Sequence, residues 1–280
     1  MLYHIVADSG CDVSPKLINS ENCTISHVPL NMQVGDKVYL DDDTLNQNDY
    51  LSDMESTTLA VKTSAPSPAL FLEKFKVGDN IFVVTLSSKL SATYQSAVSA
   101  KDMYIEEYGK KFIHVFDSLT ASMGEAVIAL KIADLLKNGI DATECVEQVN
   151  HFMKGMRTYF ILEKFDNLIK TGRMKPSLAK VVSFLNVKLI CSDNGEGEIA
   201  KISQARGYPN AMSRLVQIIK ENTPDIESRV IGITHVKALE KAEELKKELL
   251  AHVKPKDILI QESRGITTTY ANRGGVVVAL

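Results

Sequence analysis

Cysteine is scarce: four residues in 280, at 11, 23, 145 and 191, widely spaced and with no C-x-x-C pair. Such spacing fits free thiols in a reducing cytosol better than a disulfide framework. Cys11 sits in a polar turn where a thiol is open to reaction, although no neighbour in sequence lowers its pKa. Excess positive charge is also missing. The formal net charge is −3, so no global basic field points to nucleic acid. No apolar run approaches the roughly 20 residues of a membrane span. The N-terminus, MLYHIVADSG, enters a strand-like run with no basic segment before it, so no secretory signal is read and a cytoplasmic location is expected. The nucleotide and hydrolase loops G-x-x-x-x-G-K-[ST], G-x-G-x-x-G and G-x-S-x-G are absent, as is H-E-x-x-H. The six histidines form no metal-ligand pair at helical spacing, and His4 and His114 fall inside strand runs. His235, at a strand end, is the best histidine candidate for a site. The expectation is a chain without metal, nucleotide or other cofactor.

What is present is a core-forming composition, 45% hydrophobic, enough for one large or two modest domains. Three apolar runs, Tyr3–Ala7, Ile81–Leu86 and Phe112–Phe116, end in hydroxyl-bearing turns. Helix-like segments follow at Pro15–Ser20, Ala92–Tyr108 and Met123–Asn138. This alternation predicts a mainly parallel sheet flanked by helices. Ligands of such sheets bind beyond the carboxyl ends of the strands, where all three turns would gather. The turn after the second run, S-S-K-L-S-A-T-Y-Q-S-A from Ser87, carries six hydroxyls by Ser96. Because it opens a helix, it also offers free backbone N–H groups to an anion. Capping by Ser91 alone is the plainer explanation.

Between these runs, Asp41-Asp42-Asp43 opens a polar stretch to Lys62, read as a solvated loop or helix start rather than a metal site. In T-S-A-P-S-P, residues 63–68, two prolines forbid helix, and Ser67-Pro68 has the form of an N-cap with proline at the first helical position. The pattern changes near residue 158. Arg157–Leu162 is strand-like, Lys164–Lys170 is a short helix with Gly172 at its C-terminal end, and Leu178–Leu185 is helical. Asn186–Ser192 and Glu198–Arg206 flank a D-N-G-E-G hairpin turn. Helices at Tyr208–Glu221 and Leu239–His252 alternate with strands at Arg229–Thr234, Asp257–Glu262 and Gly275–Leu280. The expected architecture is α/β in two domains, 1–157 with the parallel sheet and 158–280 with a mixed sheet.

Two kinds of chemistry suit the hydroxyl-rich turn. One is nucleophilic: Ser88 or Ser91 as nucleophile, His235 as base and Asp117 as orienting group would make an acyl-ester hydrolase, although the glycine-flanked elbow is missing. The other is anion binding, for which Arg173 in T-G-R and Arg206 in A-R-G supply cations able to pair with a carboxylate.

Lined up in order, the motifs V-A-D-S-G-C-D-V (6–13), V-P-L (28–30), T-S-A-P-S-P (63–68), L-S-S-K-L-S-A-T-Y-Q-S-A (86–97), F-D-S (116–118), L-I-K-T-G-R (168–173), L-N-V-K-L-I (185–190) and A-R-G (205–207) make the chain resemble the DegV family of bacterial fatty-acid-binding proteins. The resemblance implies a non-catalytic protein holding a long-chain fatty acid between two α/β domains. The carboxylate would meet hydroxyls of Thr63 and Ser91, with Ser64 and Ser88 nearby, and the guanidinium of Arg173. The acyl chain would lie in an apolar tunnel. The implied partner is a separate kinase subunit that converts the presented acid to an acyl phosphate for lipid synthesis; neither nucleic acid nor stable membrane insertion is implied. The chain departs from the family in two motifs. S-G-T is S-A-T here, so Ala92 adds a methyl group. The terminal H-x-G-P-G is replaced within T-T-T-Y-A-N-R-G-G (267–275), placing Tyr270 where the histidine would stand and Asn272-Arg273-Gly274 at G-P-G. Tyr270 can still donate through its hydroxyl. A divergent member binding another small amphiphile is the third alternative.

Overall fold

A computed structural model describes residues 2–175 and 186–280. The helix expected at Leu178–Leu185 lies outside them. The first sheet consists of β1 (Tyr3–Asp8), β2 (Cys23–Val28), β6 (Asn80–Thr85) and β7 (Phe112–Asp117), all parallel, in the order β2-β1-β6-β7. The central β1 and β6 are buried along almost their whole length, as parallel strands covered on both faces must be. That is why they read as continuous apolar runs. The edge strand β2, C-T-I-S-H-V, is only half buried and escaped notice in the sequence.

A small antiparallel sheet follows in the order β4-β3-β5: β3 (Asn31–Val34), β4 (Lys37–Leu40) and β5 (Lys62–Ser64). The polar stretch before β5 is not all loop. It holds α1 (Gln47–Ser56), started by Asn46, whose side chain accepts the N–H groups of Asn48 and Asp49. The third sheet is mixed, in the order β10-β9-β8-β13-β11-β12: β8 (Thr158–Ile161), β9 (Val187–Asp193), β10 (Ile199–Arg206), β11 (Val230–His235), β12 (Asp257–Glu262) and β13 (Val276–Ala279). Among the described residues of this sheet, only β11 and β12 pair in parallel. The turn joining β9 to β10 is the expected hairpin, with Gly195 and Gly197 at φ +82° and +85°.

On the first sheet lie α2 (Pro68–Phe75), α3 (Thr93–Tyr108) and α4 (Met123–Lys137), with α5 (Ala142–Gly155) packed against α4. Pro15–Leu17 forms only a 3-10 turn where a helix was expected. The mixed sheet is served by α6 (Asp166–Lys170), α7 (Tyr208–Asn222) and α8 (Leu239–His252). Helix α8 buries only the Ala242, Leu245 and Leu249 stripe, and its charges stay outside. Helix α4 is different: it is apolar on most sides because it packs against β1, β2 and β6 on one side and β11 and β13 on the other. This close passage needs glycine. A Cβ on Gly124 would sit 2.2 Å from Thr120 Oγ1, and one on Gly232 would sit 2.3 Å from Met123 Sδ.

The last helix, α9 (Gly265–Ala271), was not anticipated. Its G-I-T-T-T-Y-A sequence has poor helix propensity; tertiary contacts impose the helix. Asp41, expected in a solvated loop or at a helix start, is buried, and its two oxygens accept the N–H groups of Gly265 (2.7 Å) and Ile266 (2.8 Å). Those are donors that a helix start leaves unpaired. Tyr50 of α1 bonds Thr269 at 2.6 Å, and Asn167 donates to the Thr269 carbonyl at 2.8 Å. Residues far from α9 in sequence thereby hold it against the small sheet. Among the described residues, no helix is long and apolar enough to cross a membrane.

Candidate functional site

The carboxyl ends of β1, β6 and β7 bring their three turns to one edge and cross-link them. Asp8, at the end of β1, accepts the Leu86 N–H at 2.7 Å and the Gly10 N–H at 2.8 Å. The Ser87 N–H donates to the Thr120 carbonyl, and the Ser88 N–H to Asp117 Oδ1. Ser87 also reaches across to the β9–β10 hairpin, donating its hydroxyl to the Gly197 carbonyl at 2.8 Å.

The turns after β6 and β7 form one wall of a cavity closed by β5, β8, the hairpin, α9 and the segment after α6. Its unfilled space, counted out through its open mouth, is about 920 Å³. Much of the wall is apolar, with Leu30, Leu86, Leu90, Phe160, Leu168 and Val277 among its residues. Four of the six residues singled out for ligand binding also line it: Thr63, Ser91, Arg173 and Tyr270.

These four make a connected cluster. Thr63, on β5, and Tyr270, on α9, share a hydroxyl–hydroxyl hydrogen bond of 2.7 Å across 207 residues of sequence. The Arg173 guanidinium stands over the Tyr270 ring, 6.0 Å from its centroid, in cation–π range. Its Nε donates to the Leu90 carbonyl at 3.2 Å and its Nη1 to the Thr171 carbonyl at 2.7 Å. Leu90 precedes Ser91, whose hydroxyl oxygen accepts the Thr93 N–H at 3.3 Å and lies 2.7 Å from Thr93 Oγ1. Ser91 therefore makes a cap-like contact while lining the cavity. Ala92 is exposed with φ −76°, so its methyl group needs no unusual backbone.

The other two candidates stand apart from the wall. Ser64 is exposed, with its hydroxyl 3.5 Å from Asn31 Nδ2. Ser88 is exposed and bound to Asp117 through its backbone. Arg206 is exposed at the end of β10. His235 does not line the cavity; its Nδ1 accepts the Ala238 N–H at 3.3 Å, and burial holds its pKa below the usual histidine value. The triad drawn from the sequence is thus not assembled around the cavity. His4 is structural, with its ring nitrogens paired to Thr24 and Ser26 and its pKa lowered to about 4, chiefly by burial. All four cysteines are buried, Cys11 included. Burial, then the nearby Glu125 and Asp8 charges, pushes its thiol well above the ordinary value, so the turn does not expose a reactive thiol. Among the described residues, no group of His, Cys, Asp or Glu is arranged to hold a metal.

Sequence reasoning missed a second polar group. Ser122 and Thr267 line the cavity, and both hydroxyls donate to Asp12 Oδ2 at 2.6 Å. Behind them stands a buried carboxylate cluster. Burial raises Asp8 and Asp12 to about 7, against the pull of the N–H and O–H groups bonded to them. Burial first, and then the Asp8 and Asp12 charges, raises Glu125 well above the carboxylate range.

The DegV family model, described as a family of uncharacterised proteins, matches residues 3–280. The chain belongs to the DegV family. A DegV domain-containing protein of Streptococcus pyogenes serotype M1 is 32% identical over 281 residues, covering 99% of both chains. Among solved structures, a DegV family protein from Ruminococcus gnavus, refined with vaccenic acid, is 34% identical with a TM-score of 0.92 over 99% of each chain. The fatty acid kinase B3 protein of Streptococcus pneumoniae, loaded with linoleic acid, is 30% identical with a TM-score of 0.93, covering 100% of this chain and 99% of that one. The α/β DegV fold, with a parallel sheet before a mixed one, is shared along the whole length.

Proposed function

We propose that this DegV protein binds one long-chain fatty acid, with the carboxylate at Thr63, Ser91, Tyr270 and Arg173 and the acyl chain in the apolar remainder of the cavity. The observation that carries the reading is the Thr63–Tyr270–Arg173–Leu90 contact chain ending at Ser91, in a largely apolar cavity. A carboxylate removed from water needs several donors, preferably one of them charged. In the Thr63–Tyr270 pair one hydroxyl proton is spent between the two oxygens and one remains for a ligand. Ser91 and the guanidinium complete the set. The tail contributes about 0.8 kcal/mol per buried methylene, so a dozen methylenes give on the order of 10 kcal/mol against an association cost of about 4–15 kcal/mol. Two relatives of at least 30% identity carry vaccenic and linoleic acid, which supports this ligand class.

The protein acts as a carrier, presenting the acid to a separate kinase subunit for acyl-phosphate formation. The likeness to the fatty acid kinase B3 protein supports that partner. The sequence itself offers no usual nucleotide loop, and the Ser-His-Asp set that hydrolysis would use is not brought together at the cavity.

Titration of delipidated protein with oleate and with oleyl alcohol tests the head-group assignment. The acid is expected to bind at least ten-fold more tightly, and Ser91→Ala to narrow that preference. Equal binding of acid and alcohol would overturn the assignment, and Ser91-dependent turnover of an activated ester would overturn the carrier reading.

A further inference from the structure

Asp12 is nearly fully buried in the turn after β1, and it joins two parts of the cavity wall, the turn before α4 and helix α9. Its Oδ2 accepts the hydroxyls of Ser122, in the turn between β7 and α4, and of Thr267, on α9, each at 2.6 Å. Its Oδ1 accepts the Arg264 N–H, just before α9, also at 2.6 Å. Ser122 has φ +60° and ψ −126°, and Leu119, three residues earlier, has φ +53°. Side chains other than glycine rarely adopt this region, and such strain, about 1–3 kcal/mol per residue, persists only where surrounding contacts enforce it. Asp12 supplies such a contact for Ser122. Thr267 stands one helical turn before Tyr270, whose hydroxyl meets Thr63.

We infer that Asp12 is a positioning residue for the head-group site: by tying the strained Ser122 turn to α9, it holds Tyr270 against Thr63 in the geometry that receives the carboxylate. This rests on the fatty-acid reading above. Asp12 touches no ligand in this scheme; it acts through Ser122, Thr267 and Arg264. Nor do the two wall hydroxyls spend their protons on the acid, because both are committed to Asp12. Asparagine at this position keeps the shape but replaces one accepting oxygen with an NH₂ group, so one side of the brace is lost.

Oleate affinity of delipidated protein is the readout, with thermal unfolding measured in parallel. Asp12→Asn is expected to weaken binding roughly ten-fold, the loss of one hydrogen bond to a charged group. Ser122→Gly removes the strained side chain, since glycine takes positive φ freely, and Asp12→Asn should weaken binding less in that background. The ratio of variant to wild-type dissociation constants should be largest near pH 8 and shrink toward pH 6, as the wild-type Asp12, raised to about 7, is itself protonated. Asp8, Asp41, Glu125, Cys11 and Arg264 surround this turn, and Glu125 and Cys11 feel the Asp12 charge itself, so the same ratio measured in a Glu125→Gln background separates Asp12 from the carboxyl coupled to it. If Asp12→Asn does not fold, Thr267→Val reads the same arm, with an expected loss of several-fold. A folded Asp12→Asn protein with lowered melting temperature but wild-type affinity at both pH values overturns the positioning role alone. A wild-type protein that binds no oleate overturns the fatty-acid reading and this role with it.

Discussion

Replacing Tyr270 with phenylalanine and Thr63 with valine, singly and together, separates two ways in which this hydroxyl pair can serve a carboxylate. The two oxygens lie 2.7 Å apart, so one proton bonds the pair and the other is free. Tyr270→Phe removes the phenolic hydroxyl but keeps the ring under Arg173. Thr63 then has its own proton to give. Thr63→Val keeps a β-branched residue in β5 and leaves the Tyr270 proton free in the same way. The bond within the pair is present with and without ligand, so each single change costs stability and lowers affinity by no more than a few-fold while one proton remains for the carboxylate. The double change leaves no proton. The carboxylate then loses a charge-assisted bond of about 1.5–3 kcal/mol, roughly a further ten- to hundred-fold. Calorimetric titration of delipidated protein with oleate gives the four dissociation constants, and the double-mutant cycle gives the coupling. The expected signature is a double variant far weaker than the product of the single effects. Simple multiplication of the two losses, or one single variant as weak as the double, would refute the shared-proton argument.

Further expectations follow from the scaffold. Gly124→Ala should destabilise despite alanine's better helix propensity, by about 1–3 kcal/mol, because a Cβ there meets Thr120 Oγ1 at 2.2 Å and Thr158 Oγ1 at 2.6 Å; an unchanged denaturation midpoint would contradict this. Asp41→Ala strands two buried N–H groups at the start of α9 and should lower stability by about 3 kcal/mol in urea unfolding. Glu125 is buried with its pKa raised, so its contribution is present below the unfolded-state value and fades as pH rises; Glu125→Gln, which stays neutral, should gain melting temperature over wild type between about pH 5 and 8. No thiol should react with Ellman's reagent until the protein unfolds, when all four react.

The legibility of this chain followed burial. The strands β1 and β6 were plain because parallel strands covered on both faces are apolar throughout, and their turns had to share an edge once the sheet was parallel. Edge strand β2 and the small sheet were not plain, because half-buried polar strands lack that signature. Helix α9 was invisible for a different reason: three threonines argue against helix, and the Asp41 carboxylate that satisfies its first donors lies more than two hundred residues away. At the site, the family motifs named Thr63, Ser91 and Arg173, and the departure from the terminal motif named Tyr270, but hydroxyl counting could not tell inward from outward side chains. Ser64 and Ser88 belong to the same motifs and are exposed. Asp12 stood in the V-A-D-S-G-C-D-V motif with no role assigned, since its partners Ser122 and Thr267 come from distant segments.

The central claim is that the Thr63–Ser91–Tyr270–Arg173 cluster holds a fatty acid. Native mass spectrometry of the protein as purified, followed by organic extraction of the bound material, tests it most directly. The expected result is one long-chain fatty acid per chain, with lower occupancy in Ser91→Ala. A protein that carries no lipid and takes up none from a fatty-acid mixture would contradict it.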